Sequence, residues 1–479
     1  MSEELWMLSA TQIAQGVRAG AFTASEVAAC AIERVARMDS HIHAFCHRAD
    51  ALALAMAQAV DDRIARGEDP GPLAGVPIGI KDLIVTRDMK TRFGSRLYQD
   101  FQADEDDVVV ERLRDAGAVF LGKTNVSELG YGGCGHNPLS ETTRNPWNLS
   151  LTSGGSSAGS GAAVAAGLCP IAVGSDGGGS IRIPAAHCGL FGFKPSMGRV
   201  PLYPGCRDAR YPGVSSWESL EHLGPLSRTV QDSALMMSVM AGPDPRDRHS
   251  IPCTDVDWLD LSARGLAGRK IGFSEDFGYL AVEPEVRAIF RQALTVFERE
   301  LGCELVEVRP DWPDPVTAFR TIVAMETDLD GMRALLRDRS ADVSPHLVDM
   351  VMRDWTAADF NAALMARKRF FNDIWKLMRD IDFLLTPTLT VPPFRIDIQG
   401  PEKVDGQMVR PTQWSSFLSP FNLTGQPAAS LPAGWTRDQL PVGLQIVGRH
   451  LADSDVLRLS AAYQEAAPWM HRWPAIAES

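Results

Sequence analysis

Two serines set in glycine turns are the residues best suited to chemistry. They are Gly154-Gly155-Ser156-Ser157 and Gly177-Gly178-Gly179-Ser180, both inside the 33 residues from Thr152 to Pro184. Three consecutive glycines reach backbone conformations closed to other residues and leave no side chain in the way. A row of their N–H groups beside a serine hydroxyl is what a developing oxyanion needs. Taken alone, Gly-Gly-Gly-Ser also reads as a plain strand-to-helix connection, because short motifs recur by chance. Two such turns so close together point to nucleophilic catalysis.

A serine nucleophile needs a base. None of the ten histidines forms an evident motif with either turn. His187 follows Ser180 closely and reads as an ordinary packed histidine. Upstream, Gly75-Val76-Pro77-Ile78-Gly79-Ile80-Lys81-Asp82-Leu83 is an apolar run, readable as a buried strand, that ends on a lysine. Burial disfavours the ammonium form and lowers a lysine pKa, which makes a neutral amine available as base. By itself Lys81 also reads as an exposed strand-end charge, since lysine is rarely buried.

Three other patterns invite different chemistry. Gly155-Ser156-Ser157-Ala158-Gly159 fits G-x-S-x-G, which makes Ser157 the nucleophile of an α/β-hydrolase-type esterase with His450 or His471 downstream. That reading expects a strand directly before the turn, whereas Thr143 to Thr152 is rich in Asn, Pro and Ser. It also leaves Gly177 to Ser180 without a task. The stretch from Gly117 to Thr124 matches the phosphate-binding pattern G-x-x-x-x-G-K-[ST], but its middle residues read as an apolar strand preceded by a helix, the reverse of a P-loop. Cys134 and His136 suggest a thiolate beside an imidazole. Nothing else in that segment supports it, and Cys134 reads as a pocket-lining residue.

The motifs taken together, Gly-Val-Pro-Ile-Gly-Ile-Lys81-Asp, Gly-Gly-Ser156-Ser-Ala-Gly-Ser and Asp176-Gly-Gly-Gly-Ser180-Ile-Arg182-Ile-Pro-Ala-Ala, resemble the amidase signature family of serine hydrolases. Lys81 and Ser156 lie 75 residues apart, and Ser156 and Ser180 lie 24 apart, which fits that family's Ser–Ser–Lys triad. The likeness extends to Leu121-Gly122-Lys123-Thr124-Asn125, Thr143-Arg144-Asn145-Pro146-Trp147, Phe421-Asn422-Leu423-Thr424-Gly425-Gln426-Pro427 and Leu440 to Gly448, so it covers nearly the whole chain.

The resemblance implies one α/β domain spanning residues 1–479, with a mixed, twisted central sheet covered by helices on both faces. Within it we expect a helical N-terminal part (about 1–70), the core motifs (about 71–228), a helical excursion (about 229–380) and a return to the sheet (about 381–479). It implies Ser180 as nucleophile, Ser156 as proton relay after a cis peptide, and Lys81 as general base. It implies an oxyanion hole from the amides of Gly177, Gly178, Gly179 and Ser180, supported by Ser157 and by pairing of Asp176 with Arg182. No metal or organic cofactor is implied, and some relatives form homodimers. Ala158, Gly177 and the Gly132-Gly133-Cys134 loop depart from the family's usual residues, which suggests a pocket of different shape.

The expected substrate is a small, mostly apolar amide, aryl amide (anilide) or carbamate. Tyr131, Gly132, Gly133, Cys134, Tyr203 and Trp217 are candidate pocket residues, with Tyr211 and Phe319 as further aromatic walls; each also reads as plain packing. The alternative is the glutaminase component of a tRNA-dependent amidotransferase, which needs partner subunits and a charged site for the glutamine head group. A purely binding protein has no need of a complete triad.

Composition agrees with an enzyme of this kind. The 479 residues carry 45% hydrophobic and 22% charged side chains, ordinary for a globular chain. A formal net charge of −13 offers no basic footprint for nucleic acid or an anionic membrane. No long apolar run and no cationic N-terminal region followed by an apolar core is present, so neither a membrane span nor a signal peptide is expected, and a cytoplasmic location is. Eight cysteines without C-x-x-C spacing read as reduced thiols. Thr23 with Glu26 matches a capping box opening a helix, and a second helix follows from Ala49 to Arg66. Helices are also expected over 107–115, 158–168, 229–240, 284–301, much of 315–379 and 454–467. Strands are expected at 76–80, 118–121, 170–174, 272–273, 304–308, 382–388 and 442–447, with a Pro- and Gly-rich substrate loop over 200–226.

Overall fold

The computed structural model describes residues 2–204, 212–213, 217–254 and 256–478. In chain order the strands are β1 (Phe45–Arg48), β2 (Pro77–Lys81), β3 (Val119–Thr124), β4 (Arg144–Asn145), β5 (Asn148–Thr152), β6 (Ile171–Ser175), β7 (Phe191–Lys194) and β8 (Leu223–Ser227). They continue with β9 (Lys270–Phe273), β10 (Glu304–Glu307), β11 (Phe383–Pro387), β12 (Lys403–Val404), β13 (Gln407–Met408), β14 (Ala428–Trp435) and β15 (Pro441–Gly448). Among the described residues, eleven strands form one mixed sheet in the order β1-β3-β2-β6-β8-β7-β14-β15-β11-β9-β10.

Residues on β2, β3, β6, β7, β8, β11 and β15 are buried at every position. Neighbouring side chains on a strand point to opposite faces, so this burial means both faces of the sheet are covered. The covering layers include helices Ala24–Ile42, Asp50–Ala65, Val230–Met240, Pro284–Arg299 and Asp453–Ala466. The first is opened by the expected capping box: Glu26 N–H donates to Thr23 Oγ1 at 3.0 Å, and Thr23 N–H to Glu26 Oε2 at 2.8 Å. Among the described residues no helix is long and apolar enough to cross a membrane.

Two features of the sheet create the site. Strands β2 and β6 run parallel, with Ile80 opposite Val173, so their carboxyl ends bring Lys81 and Ser175 together. Ligand sites in such sheets gather at those ends. The helix Ala158–Ala165 carries only small residues and is buried throughout. A Cβ on Gly159 would lie 2.1 Å from the Ala44 carbonyl oxygen and 2.3 Å from the Asn125 nitrogen, and one on Gly161 would lie 2.8 Å from Pro184 Cβ. Only glycine permits this approach, which fixes the serine turn at the helix's start.

The structure adds several elements to the sequence reading. Segment 144–152, read there as irregular, forms the hairpin β4–β5, so a strand does precede Gly154; it lies outside the central sheet. Trp147 N–H donates to Asn145 Oδ1 at 3.0 Å and shapes the Asn-Pro turn. Residues 223–227, placed in the loop, are β8. Strands β7 and β14 and the short helix Arg182–Cys188 also emerge only in the structure. Their sequences, such as Phe191-Gly192-Phe193-Lys194, are too short for periodicity to distinguish strand from loop.

Gly159→Ala is expected to destabilise the protein by about 1–3 kcal/mol through overpacking. A denaturant midpoint equal to that of the parent would show that the helix is not held at this close approach.

Candidate active site

Lys81, the last residue of β2, is fully buried. Its Nζ donates to Ser156 Oγ at 2.8 Å, to Ser175 Oγ at 2.8 Å and to the Ser175 carbonyl at 3.2 Å. Burial lowers its pKa to about 8, against the opposing attraction of Glu221 and Asp176. Both charge states are therefore accessible near neutral pH.

Ser156 follows a cis Gly155–Ser156 peptide. Ser127 N–H donates to the Ser156 carbonyl at 3.2 Å. A Cβ on Gly155 would meet Gly135 N at 2.7 Å and Ser127 Oγ at 2.8 Å, so the 127–135 loop rests directly on this peptide. Ser127 Oγ donates to the Gly132 carbonyl at 2.9 Å and accepts from Gly135 N–H at 3.0 Å. Ser157 is turned inward. Its hydroxyl donates to the Ser175 carbonyl at 3.2 Å and accepts from Ser175 N–H at 3.3 Å, while its own N–H donates to the Ser180 carbonyl at 3.3 Å. That leaves Ser157 without contact to His450 or His471 and ties the two serine turns together.

The second turn is organised by Asp176. Its carboxylate accepts from Gly179 N–H at 2.7 Å, from Ile181 N–H at 3.2 Å, and from Arg182 Nε and Nη2 at 2.9 Å each. Both charged side chains are fully buried. Burial by itself would raise the Asp176 pKa; the charge and hydrogen bonds of Arg182, with Lys194 and Asn422, hold it well below the usual carboxylate range. Arg182 also donates to Gln445 Oε1 at 2.7 Å, Asn422 Oδ1 at 2.6 Å and the Leu418 carbonyl at 3.1 Å. The expected set of oxyanion donors is corrected here. Gly179 sits at φ +124° and commits its N–H to Asp176, so it is a corner of the turn rather than a free donor. Among the described residues no acceptor engages the N–H of Gly177, Gly178 or Ser180, and the Ser180 hydroxyl has no partner.

The candidate pocket residues divide. Trp217 Nε1 donates to the Tyr131 hydroxyl at 3.2 Å, and Trp217 covers Gly177. Gly132 and Gly133 lie in the loop against Gly155, where a Cβ on Gly133 would sit 2.8 Å from the Trp414 ring. Cys134 is buried, its thiol raised to about 12 by burial, and donates to the Gln399 carbonyl at 3.4 Å. His136 instead bonds Ile396 O at 2.6 Å and Gln399 Nε2 at 2.9 Å. The Tyr203 carbonyl accepts from Val108 N–H, and Arg246 lies over its ring. Tyr211 lies outside the described residues.

Five residues were missed as site residues. Ser175, Ser127 and Glu221 gave no motif signal of their own. Asn422 and Gln445 stand inside the matched Phe421–Pro427 and Leu440–Gly448 motifs, and both bond the buried Arg182. The phosphate-loop match is resolved by Lys123, which is buried and donates to the Ile84 carbonyl and to Thr91 Oγ1 at 3.0 Å.

The family model described as Amidase matches residues 26–457. The chain belongs to the amidase family. An acylamidase of Rhodococcus erythropolis is 36% identical over 484 residues, covering 99% of this chain and 98% of the relative. A glutamyl-tRNA(Gln) amidotransferase subunit of Carboxydothermus hydrogenoformans is 35% identical, covering 96% and 98%. The solved structure of a bacterial aryl acylamidase of the amidase signature enzymes superposes with a TM-score of 0.90 at 32% identity, covering 98% of each chain. The corresponding glutamyl-tRNA(Gln) amidotransferase subunit from Thermotoga maritima gives 0.76 at 29%, covering 99% and 97%. The protein is thus an amidohydrolase with the mixed α/β fold of amidase signature enzymes.

In this amidase the Asp176–Arg182 pair is too deeply buried to be broken cheaply. Arg182→Leu strands a carboxylate and is expected to lower unfolding free energy by about 3–5 kcal/mol. Denaturant titration checks this, and a loss below about 1 kcal/mol would contradict the account.

Proposed function

We propose that this amidase is a stand-alone acylamidase that cleaves the C–N bond of small, mostly apolar amides, anilides or carbamates through an acyl-enzyme on Ser180. The observation that carries this reading is the 2.8 Å Lys81–Ser156 hydrogen bond beside a turn whose serine hydroxyl and three N–H groups have no partner among the described residues.

In the proposed route Lys81 starts as the neutral amine. Ser180 Oγ attacks the carbonyl carbon, its proton passes to Ser156 Oγ, and the Ser156 proton passes to Lys81 Nζ. The N–H groups of Gly177, Gly178 and Ser180 receive the oxyanion; one such donor is worth about 3 kcal/mol in the transition state. As the C–N bond breaks, Ser156 hands a proton to the leaving nitrogen and is replenished by Lys81. Water then attacks the ester, giving its proton to the same relay, and the acid leaves with Ser180 restored. Asp176 and Arg182 take no proton and hold the turn's shape.

The stand-alone reading draws support from the higher structural similarity to the aryl acylamidase than to the amidotransferase protein, 0.90 against 0.76. Aromatic walls at Tyr131, Trp217 and Phe319 suit an apolar acyl or aryl group. The glutaminase reading rests on the 35% identity to the amidotransferase relative. The purified chain assayed alone on an anilide, an aryl carbamate, an aliphatic amide and glutamine separates the two. Turnover of the anilide or carbamate, lost in Ser180→Ala, is expected. Turnover of glutamine alone would favour the amidotransferase role.

Lys81→Ala is expected to lower kcat by about 10²–10⁴-fold, the usual contribution of a general base. With a depressed pKa of about 8, the wild-type kcat/KM should fall as pH drops below that value, because protonation removes the base. A flat profile from about pH 6 to 9 on a substrate limited by chemistry would exclude Lys81 as the titrating base.

A further inference from the structure

The oxyanion turn is assembled from residues that have no side chains to hold it. Gly177 and Gly178 are not among the positive-φ glycines, so their backbone permits a Cβ; what forbids one is the neighbourhood. A Cβ on Gly178 would lie 2.6 Å from Phe319 Cζ, and its three nearest neighbours are all atoms of that ring. A Cβ on Gly177 would lie 2.4 Å from Trp217 Cε3 and 2.5 Å from Glu221 Oε2. Gly179, already fixed by Asp176, faces Leu418 Cδ1 at 2.5 Å. The two glycines with unengaged N–H groups are therefore packed by aromatic rings from elsewhere in the chain.

Those rings are themselves anchored to one another. Tyr131 and Trp217 pack edge-to-face with ring centroids 4.8 Å apart at 85°. Trp217 Nε1 donates to the Tyr131 hydroxyl at 3.2 Å, and the Tyr131 and Thr327 hydroxyls lie 2.7 Å apart. Thr327 Oγ1 donates to the Val323 carbonyl at 2.7 Å, so the Tyr131 hydroxyl donates to Thr327. Val323 belongs to the helix Val316–Met325, which also carries Phe319. A single chain of hydrogen bonds thus links Trp217 to the helix that carries Phe319.

We propose that Trp217 and Phe319 are positioning residues of the oxyanion turn, supplying from outside the side-chain volume that Gly177 and Gly178 lack. Amide direction then depends on the volume summed across each ring–glycine contact and not on either residue alone. A flexible triglycine aims its N–H groups only if something outside restricts it, and aim is what distinguishes an oxyanion hole from a loop. The proposal rests on the oxyanion role proposed above.

The test is a double-mutant cycle on Gly178 and Phe319, read as kcat and KM on an anilide that the parent turns over, with denaturant midpoints for each variant. Gly178→Ala forces the ring or the turn to move and is expected to lower kcat about tenfold or more. Phe319→Leu removes the ring tip, frees the turn and is expected to lower kcat several-fold with a smaller change in KM. The double variant restores volume across the contact, and its kcat is expected to exceed that of either single variant. Multiplicative losses in the double, or a Phe319→Leu effect confined to KM, would overturn the proposal and leave Phe319 as a pocket wall. Tyr131→Phe, which deletes only the anchoring hydroxyl, covers the case in which Gly178→Ala does not fold. It is expected to lower kcat about threefold or more, and unchanged kcat would count against the proposal. Ser180→Ala run in parallel separates the two levels: retained turnover there removes the oxyanion reading itself, whereas its loss with a multiplicative cycle removes only the role of the rings.

Discussion

The ion pair between Asp176 and Arg182 is the interaction on which the site depends. Taking two charges wholly out of water is unfavourable, and the pair is sustained because its lone pairs and protons find partners. Asp176 accepts from three backbone amides and the guanidinium, while Arg182 reaches Leu418, Asn422 and Gln445, which lie 236, 240 and 263 residues away in sequence. Asn422 closes the network by donating to the Asp176 carbonyl at 2.7 Å and its Oδ1 at 2.8 Å. The pair therefore joins the serine turn to β15 and to the helix Ser419–Thr424 with the residue before it.

Burial serves the lysine differently. Around Arg182 it is compensated by a carboxylate; around Lys81 the hydrogen-bonding neighbours are hydroxyls and a carbonyl, which bind an ammonium without fixing its charge. The two histidines near this core could not substitute. His187 stacks on Trp414 with ring planes 13° apart and is pushed down to about 3 by burial, and burial also holds His222 well below its ordinary value. An imidazole placed that deep stays neutral yet is too weak a base, whereas a lysine starts from a much higher pKa and arrives in the useful range.

Most of the sheet and the two serine turns were legible because their signals are local. Val76–Ile80 is an apolar run closed by Lys81, and the small-residue helix after Ser157 announces a close backbone approach. The role of Gly179 was not legible, since whether its N–H faces an oxyanion or Asp176 depends on a φ of +124° that composition does not encode. Tyr203 carried a signal of another kind: an aromatic in a Pro- and Gly-rich loop looks like a pocket wall, while its contacts with Arg246 and with the start of the helix Val108–Asp115 are seen only in the folded chain. Ser127 and Glu221 are short or charged residues in unremarkable surroundings, and only folding brings them to the turns. Asn422 and Gln445 carried a family signal without a role until Arg182 was seen to reach them.

The proposed triad and the proposed pocket wall come from separate parts of the architecture. Lys81, Ser156 and Ser180 sit at strand ends and helix starts belonging to the main sheet. The surface facing Gly177 and Gly178 comes from Trp217 and Phe319, whose apolar surroundings form a second cluster under the helices of 316–380. Polar contacts join the two parts, among them Tyr131 with Thr327, Arg367 donating to the Leu423 and Ser219 carbonyls, and Glu128 accepting from Ser344 N–H at 2.9 Å. Because Glu128 lies in the same short loop as Ser127 and Tyr131, the helical part is pinned to the segment that rests on the cis peptide. A wall attached in this way is free to vary in its apolar side chains, provided the residues touching the glycine turn keep their volume. On the proposed reading, the constraint on substrate range and the constraint on catalytic geometry meet at the ring–glycine contacts.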